Sequence, residues 1–314
     1  MNTRRSFLKA SLLAGTAGIL SQHGIFPEAR GTTRIEPVIR FGVLTDLHHD
    51  IVDDGPERLK AFIDAMIVTK PDFIVQLGDF CVPKPANQVI MDIWSKFTGA
   101  KHHVIGNHDN DGGFSHDEVV RFWNATNKYY SFDLNGYHFV ILNGNEEVRT
   151  GQPQGYPNSI SVEQRHWLRD DIDQTKLPVI VFCHQALDND LDGLKEGNML
   201  RILFERANQK AGFQKVRLVL SGHHHEDYLN VYNDIHYLQI NSISYQFARS
   251  GRKYAYALTA DPIWALISLH TDGTIRVEGK RSTYKNASEI VANSDYDGYP
   301  TVPYISDRII KIKS

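Results

Sequence analysis

The 314-residue chain predicts an α/β fold, a two-sheet sandwich flanked by helices. Three observations carry this expectation. Between residues 41 and 105, short apolar runs alternate with helical stretches, the β-α-β-α-β order that implies parallel strands with helical crossovers. Beyond residue 228 the pattern changes to paired short strands separated by turn signals. Five of the apolar runs also end abruptly in Asp, Asn or His, and in sheets buried on both faces ligands gather at the carboxyl ends of the strands.

Residues 32–39 lead into a first strand, Phe41-Gly-Val-Leu-Thr45, which runs into Asp46-Leu47-His48. A helix opening at Pro56 carries Leu59, Phe62, Ile63, Met66 and Ile67 as one apolar stripe and stops at Lys70-Pro71. The strand Phe73-Ile-Val-Gln-Leu77 then runs into Gly78-Asp79. A second helix, from about Pro85, places Val89, Ile90, Ile93, Trp94 and Phe97 on one face and ends at Gly99. The next strand turns at Val104-Ile105-Gly106-Asn107-His108-Asp109, where a carbonyl donor, an imidazole and a carboxylate share one tight turn.

Ser115-His-Asp-Glu118 reads as a capping box before a helix with Val119, Phe122 and Trp123. Tyr130–Leu134 and Tyr137–Leu142, joined by Asn135-Gly136, form a hairpin with a type I′ turn. A Gly/Pro/Gln-rich loop spans about 144–160, and Ser161-Val-Glu-Gln164 is a second capping box. After the helix with Trp167, Leu168 and Ile172, Val179–Cys183 reaches His184. The polar loop 185–197 leads to a helix near 199–210 closed by Gly212, and Arg217–Leu220 delivers Gly222-His223-His224-His225. Two further hairpins cover 228–240 and 265–278. No repeat or linker divides the chain, so residues 32–314 read as one domain.

The first thirty-one residues stand apart. Arg4-Arg5-Ser6-Phe7-Leu8-Lys9 precedes a modest apolar run, Ala10 to Leu20, and resembles a twin-arginine export signal. That resemblance implies the twin-arginine export machinery as a partner and a periplasmic or secreted location. These residues hold four Lys/Arg and one acid, so the remainder carries 30 basic against 36 acidic residues, a net −6. Such a balance gives no electrostatic footprint for nucleic acid. No apolar stretch reaches the roughly 18 residues of a membrane span. The two cysteines, Cys81 and Cys183, make no disulfide framework, and buried free thiols are expected.

The ordered set Asp46-x-His48, Gly78-Asp79, Gly106-Asn107-His108-Asp109, His184 and Gly222-His223-x-His225 resembles the calcineurin-like metallophosphoesterase family. Five motifs occur in order, each at a strand end, over about residues 41–240. The resemblance implies a four-layer α/β/β/α sandwich with two mixed sheets and a dinuclear site at the C-terminal strand ends. It assigns Asp46, His48, Asp79 and His225 to one metal, and Asp79, Asn107, His184 and His223 to the other. A mixed oxygen and nitrogen shell suits Mn, Fe or Zn, as divalent or trivalent ions, better than calcium. The implied activity is hydrolysis of a small phosphoester by a hydroxide caught between the metals. His108 would serve as the acid for the leaving oxygen. Asp109 would orient that imidazole, or else cap its own turn.

Two departures narrow the family. Val82 stands where purple acid phosphatases place a ligand tyrosine. The spacing His223-x-His225-x-Asp227 is similar to that of metallo-β-lactamase-fold hydrolases, but Tyr228 follows where they require histidine. The stretch 241–261, with Tyr245, Arg249, Arg252, Lys253, Tyr254 and Tyr256, is a cationic and aromatic loop able to hold a phosphate and a ring. Monoesters, diesters and pyrophosphates all remain open as substrates, with a non-catalytic metal-binding scaffold or another hydrolase chemistry as alternatives.

Overall fold

The computed structural model describes residues 36–146, 155–250, 253–285, 287–289, 295–296 and 298–313. The signal-like segment 1–31, part of the loop 144–160 and Arg252 lie outside the described residues.

The first half builds one sheet and its helical cover. Strand β1 (Pro37–Leu44), helix α1 (Gly55–Thr69), strand β2 (Phe73–Gln76), helix α2 (Gln88–Trp94) and strand β3 (Ala100–His103) follow in order. β1, β2 and β3 are parallel neighbours, as crossover connections require. Helix α3 (His116–Trp123) opens on the expected capping box, with Ser115 and Glu118 bonding reciprocally. The hairpin of β4 (Tyr130–Leu134) and β5 (Tyr137–Ile141) turns at Asn135 and Gly136, both with positive φ as a type I′ turn demands.

The second sheet continues with α4 (Val162–Gln174), β6 (Val179–Phe182), α5 (Gly197–Ala211), β7 (Val216–Ser221), β8 (Tyr228–Tyr232) and β9 (Ile235–Gln239). Its strand order is β4-β5-β6-β7-β9-β8, parallel from β5 to β9 with an antiparallel strand at each edge. The stretch expected as a substrate loop is instead a hairpin, β10 (Tyr245–Ser250) with β11 (Lys253–Leu258). Strands β12 (Ala265–His270) and β13 (Thr274–Gly279) return to the first sheet; β14 (Asp295–Tyr296) and β15 (Tyr299–Pro300) make a short ribbon, and β16 (Arg308–Lys311) closes the edge. The first sheet thus runs β16-β13-β12-β1-β2-β3, with β12 antiparallel to β1.

Strand alternation explains the four layers. Phe41, Phe73 and Val75 face Phe139, Ile180, Phe182, Leu218 and Leu220 across the interior between the sheets. Phe41 stacks on Phe73 with ring centroids 4.8 Å apart. The alternate residues Leu44 and Ile74 meet Leu59, Phe62, Ile63 and Met66 of α1 and Trp94 of α2. On the second sheet Val179 and Val181 meet Leu168, Ile172, Leu200 and Phe204 of α4 and α5. Each buried aromatic or aliphatic side chain contributes roughly 1.5–3 kcal/mol by leaving water. The architecture is the α/β/β/α sandwich of two mixed sheets.

Some helical expectations shift in detail. Ile67 and Val89 are exposed, because each lies at the edge of its apolar stripe. Residues Pro85–Asn87 form a 3-10 turn, so α2 begins three residues late. At α4, Ser161 caps Gln164 N, but the Gln164 side chain accepts from Asn143 N instead of reaching back, so the second capping box is half made.

Candidate metal centre

The five polar strand ends do not share one sheet edge. Asp46, His48, Asp79, Asn107 and His108 follow β1, β2 and β3 of the first sheet, whereas His184, His223 and His225 follow β6 and β7 of the second. The site forms where the carboxyl ends of both sheets meet. Backbone pairing carries the ladder past the strands: Asp46 N donates to Gly78 O at 3.0 Å, His48 N to Asp79 O at 2.8 Å, and Gly222 N to His184 O at 2.9 Å.

Five of these residues hold left-handed backbone. Asp46, His48, Asp79, His223 and His225 have φ between 49° and 75°. Non-glycine residues there cost on the order of 1–3 kcal/mol each, and such strain clusters where a site over-determines it. Gly106 and Gly222 serve the same close approach. A β-carbon on Gly106 would collide with the Asp79 amide and Oδ1, and one on Gly222 with the Thr45 hydroxyl.

Three groups of donor atoms lie within reach of a shared ion: Asp46, His48 and His225; His48, Asp79 and His108; and Asp79, His184 and His223. Asp79 belongs to two of them. His48 Nε2 lies 3.6 Å from Asp79 Oδ2 and 3.0 Å from His225 Nε2, and His225 Nε2 lies 3.2 Å from Asp46 Oδ1. His184 Nε2 lies 3.3 Å from Asp79 Oδ2 and 3.1 Å from Asn107 Oδ1. All seven sequence-predicted ligand residues are thus brought to one place.

The donor set fits metal. His184 Nδ1 donates to Leu77 O at 2.7 Å, which in the neutral ring leaves Nε2 a lone pair aimed at two oxygens. Three acceptors facing one another require a proton or a cation between them. Burial opposes charge on His184, yet the Asp79 and Asp46 carboxylates push it up to about 9, the protonic version of the same demand. Burial of Asp46 is likewise overcome by His225 and His184, which hold its carboxyl far below the ordinary range. Burial holds His48 down to about 4, hence a neutral imidazole suited to ligation.

Asp109 takes a different place from the one expected. Its Oδ2 accepts from Asp79 N at 2.9 Å and Gly106 N at 2.7 Å, and its Oδ1 from Phe80 N at 2.7 Å and Cys81 N at 3.1 Å. With four backbone donors taken, it does not reach the His108 imidazole. The reading of Asp109 as the orienting group is therefore corrected to that of a turn anchor. Burial and the Asp79 charge push its carboxyl upward, while the Gly106 and Phe80 amides act against that.

His108 finds other partners. Its Nδ1 lies 2.7 Å from Asp111 Oδ2 and 2.8 Å from the Tyr156 hydroxyl. Neither residue stood out in the sequence; Asp111, two residues beyond a motif, was the findable one. Ser242 and Ser244 were also missed: their hydroxyls donate to the carbonyls of Asp46 and Leu47 at 2.9 and 2.8 Å, fixing the first ligand turn from the loop after β9.

Several bystanders resolve. His103 accepts from Trp94 Nε1 at 3.1 Å, and His102 stacks on Phe132, so both are structural. Asp50, exposed in its turn, accepts from Val82 N and Asn87 Nδ2. His49 belongs to none of the three donor groups. Asp227 turns away to Ser306 and Arg308, so the third residue of the β-lactamase-like spacing does not join the cluster. Both cysteines are buried free thiols.

The cluster floors a cleft of about 480 Å³ whose walls include Tyr156, Lys195, Tyr245, Phe247 and Tyr296. The Tyr245 ring lies 5.2 Å from that of His48 and 4.6 Å from that of His225, and Phe247 stacks on His225 at 4.8 Å. Among the described residues no helix is long and apolar enough to cross a membrane.

Residues 39–227 match the family model of calcineurin-like phosphoesterases. The chain belongs to that family. It is 26% identical over 158 residues to a manganese-dependent ADP-ribose/CDP-alcohol diphosphatase of Arabidopsis thaliana, covering 42% of this chain and 50% of that one. It is 29% identical over 168 residues to a 3',5'-cyclic adenosine monophosphate phosphodiesterase of Haemophilus influenzae, covering 53% and 58%. The chain spans about half the length of these curated relatives. A dimetal phosphatase from Danio rerio shares the fold of the family member described here, with a TM-score of 0.62 at 14% identity over 88% of this chain and all of that one. GAP50 of Plasmodium does so with a TM-score of 0.53 at 15% identity, over 88% and 89%.

Proposed function

We propose that this chain is a dinuclear-metal phosphoesterase that cleaves phosphodiester or diphosphate bonds of nucleotide-like substrates. The observation that carries the reading is the Asp79 carboxylate, which belongs to two donor groups, one with His48 and one with His184 and His223, as a carboxylate shared by two metals would. Asp46, His48, Asp79 and His225 would hold one metal; Asp79, Asn107, His184 and His223 would hold the other. When bound, manganese, iron or zinc would supply Lewis-acid stabilisation of phosphoryl charge and activation of water.

The chain's own groups do the rest. His108, at the cleft beside Asp79, gives a proton to the leaving oxygen as the phosphorus–oxygen bond breaks. The aromatic wall of Phe247, Tyr245 and Tyr296 offers faces for a base or ring. The two relatives, by their names, act on nucleotide diphosphate and cyclic diester bonds, which favours that class over phosphomonoesters. We further read residues 1–31 as a twin-arginine export signal, supported by Arg4-Arg5 and the short apolar run, which would place the protein in the periplasm or outside the cell.

The test is a panel of bis-p-nitrophenyl phosphate, cyclic AMP, ADP-ribose and AMP with Mn-, Fe- and Zn-loaded protein. Diesters or diphosphates should exceed AMP in kcat/KM by about tenfold or more, and chelator should abolish turnover. Preference for AMP would overturn the substrate class. Silence across the panel at full metal loading would leave a non-catalytic metal scaffold.

A further inference from the structure

The two partners of His108 come from separate segments of the chain. Asp111 belongs to the turn beyond His108 itself. Tyr156 belongs to a distant segment, 48 residues on. The Tyr156 hydroxyl donates to both Asp111 oxygens, at 3.2 and 3.3 Å, while Asp111 Oδ2 and the phenol oxygen both approach His108 Nδ1. The two rings meet edge to face at 4.8 Å. Three side chains thus close a ring of contacts around one imidazole nitrogen.

The mount under Tyr156 is firm. Two residues on, Asn158 accepts from Lys195 N at 2.9 Å through its carbonyl and donates through Nδ2 to Asp192 O at 3.2 Å. Its Oδ1 accepts from Gln185 Nε2, next to His184. Ser159 N then donates to Gly144 O at 2.6 Å, and Ile160 N to Glu196 at 3.0 Å. The phenol is therefore referenced to the second sheet, while His108 rides on the first.

We propose that Tyr156 and Asp111 are positioning residues for His108, together fixing its Nδ1–H tautomer and ring angle so that Nε2 carries the transferable proton. The proposal rests on the reading of His108 as the acid. A carboxylate at Nδ1 fixes which nitrogen bears the other proton, and the phenol fixes the carboxylate. Asp109, the nearer acid in sequence, is excluded from this role because its oxygens hold four backbone amides. Tyr156 is 41% exposed, so its hydroxyl contributes positioning and not packing.

The experiment is a double-mutant cycle on metal-loaded protein with two diesters, one with a p-nitrophenolate and one with an alkoxide leaving group. Tyr156→Phe and Asp111→Asn should each lower kcat for the alkoxide ester by about tenfold and that for the aryl ester by about twofold or less, with KM and metal content unchanged. In a His108→Ala background, neither should lower kcat further. Equal losses on both esters, or an undiminished loss in the His108→Ala background, would overturn the positioning role alone. If His108→Ala itself lowers both esters equally, the acid reading falls and takes this inference with it. As a check independent of turnover, ring ¹⁵N shifts in the metal-free protein should show His108 protonated at Nδ1 and lose that preference in Asp111→Asn. An Nε2–H tautomer in the unsubstituted protein would also overturn the proposal.

Discussion

Asp109 Oδ2 accepts the amides of Asp79 and Gly106 together, at 2.9 and 2.7 Å. One buried carboxylate therefore ties the turn after β2 to the turn after β3. Replacing it with alanine strips partners from four amides at once. Each orphaned buried donor costs roughly 1–3 kcal/mol, non-additively. Asp109→Ala should lose at least about 3 kcal/mol in urea unfolding, by the same per-donor cost. A loss under about 1 kcal/mol, no more than a surface substitution would give, contradicts the anchor.

The two glycines make a local prediction. Because a β-carbon on Gly106 meets Asp79 and one on Gly222 meets Thr45, either glycine-to-alanine change should displace a ligand turn while both sheets survive. Far-ultraviolet circular dichroism should stay as in the parent, and bound metal by atomic emission should fall. Full metal retention in both variants would show that the turns relax freely.

Asp79 lies in two donor groups, whereas Asp46 lies in one. Asp79→Ala should leave less than one tightly bound metal per chain, and Asp46→Ala should keep one. Removing metal from the unsubstituted protein should also lower its melting temperature, since a ligand at about one hundred times its Kd stabilises by about 2.7 kcal/mol. A melting temperature indifferent to chelator would separate the centre from stability.

Away from the centre, His138 sits between Asp133 Oδ1 at 2.6 Å and Asp171 Oδ2 at 2.8 Å, joining the β4–β5 hairpin to α4. Burial opposes its charge, but the two carboxylates raise its pKa above the ordinary histidine value. The raised folded-state value sets the sign. The contribution is complete below the unfolded pKa, near 6.5, and drains away as pH rises through the folded one. Unfolding free energy should therefore fall across that window, and His138→Gln should flatten the slope there. An unchanged slope in the variant would assign the pH dependence elsewhere.

The export reading has its own measurement. In a host with a twin-arginine translocase the unsubstituted chain should be exported, and Arg4→Lys with Arg5→Lys should retain it in the cytoplasm. Equal export of both would dismiss the signal.

Much of the fold was legible because two simple periods wrote it. Side-chain alternation sends the near-continuously buried runs of β1, β2, β6 and β7 to both faces of their sheets, and this and the stripe Leu59, Phe62, Ile63 and Met66 need only local chain geometry. The ligand turns were legible because glycine, carboxylate and imidazole follow strands directly. What escaped depended on contacts between distant segments. Nothing near Tyr156 marks it as a partner of His108, and Ser242 and Ser244 look like ordinary loop serines until they meet the carbonyls of Asp46 and Leu47. The division of the ligands between two sheets was hidden for the same reason: strand order is a property of pairing, not of composition. Asp109 misled because sequence adjacency to His108 put it on the same turn, where the backbone amides claimed it first.

The shared origin of the ligands from both sheets makes ion uptake a latch between two leaves. A slip of one leaf against the other by a fraction of a residue would part His184 from Asp79 well before it wetted Phe41 or Phe182. Affinity for the ions is then the most sensitive gauge of how the leaves are seated. Substitutions deep in the interior, far from any donor atom, will register there first.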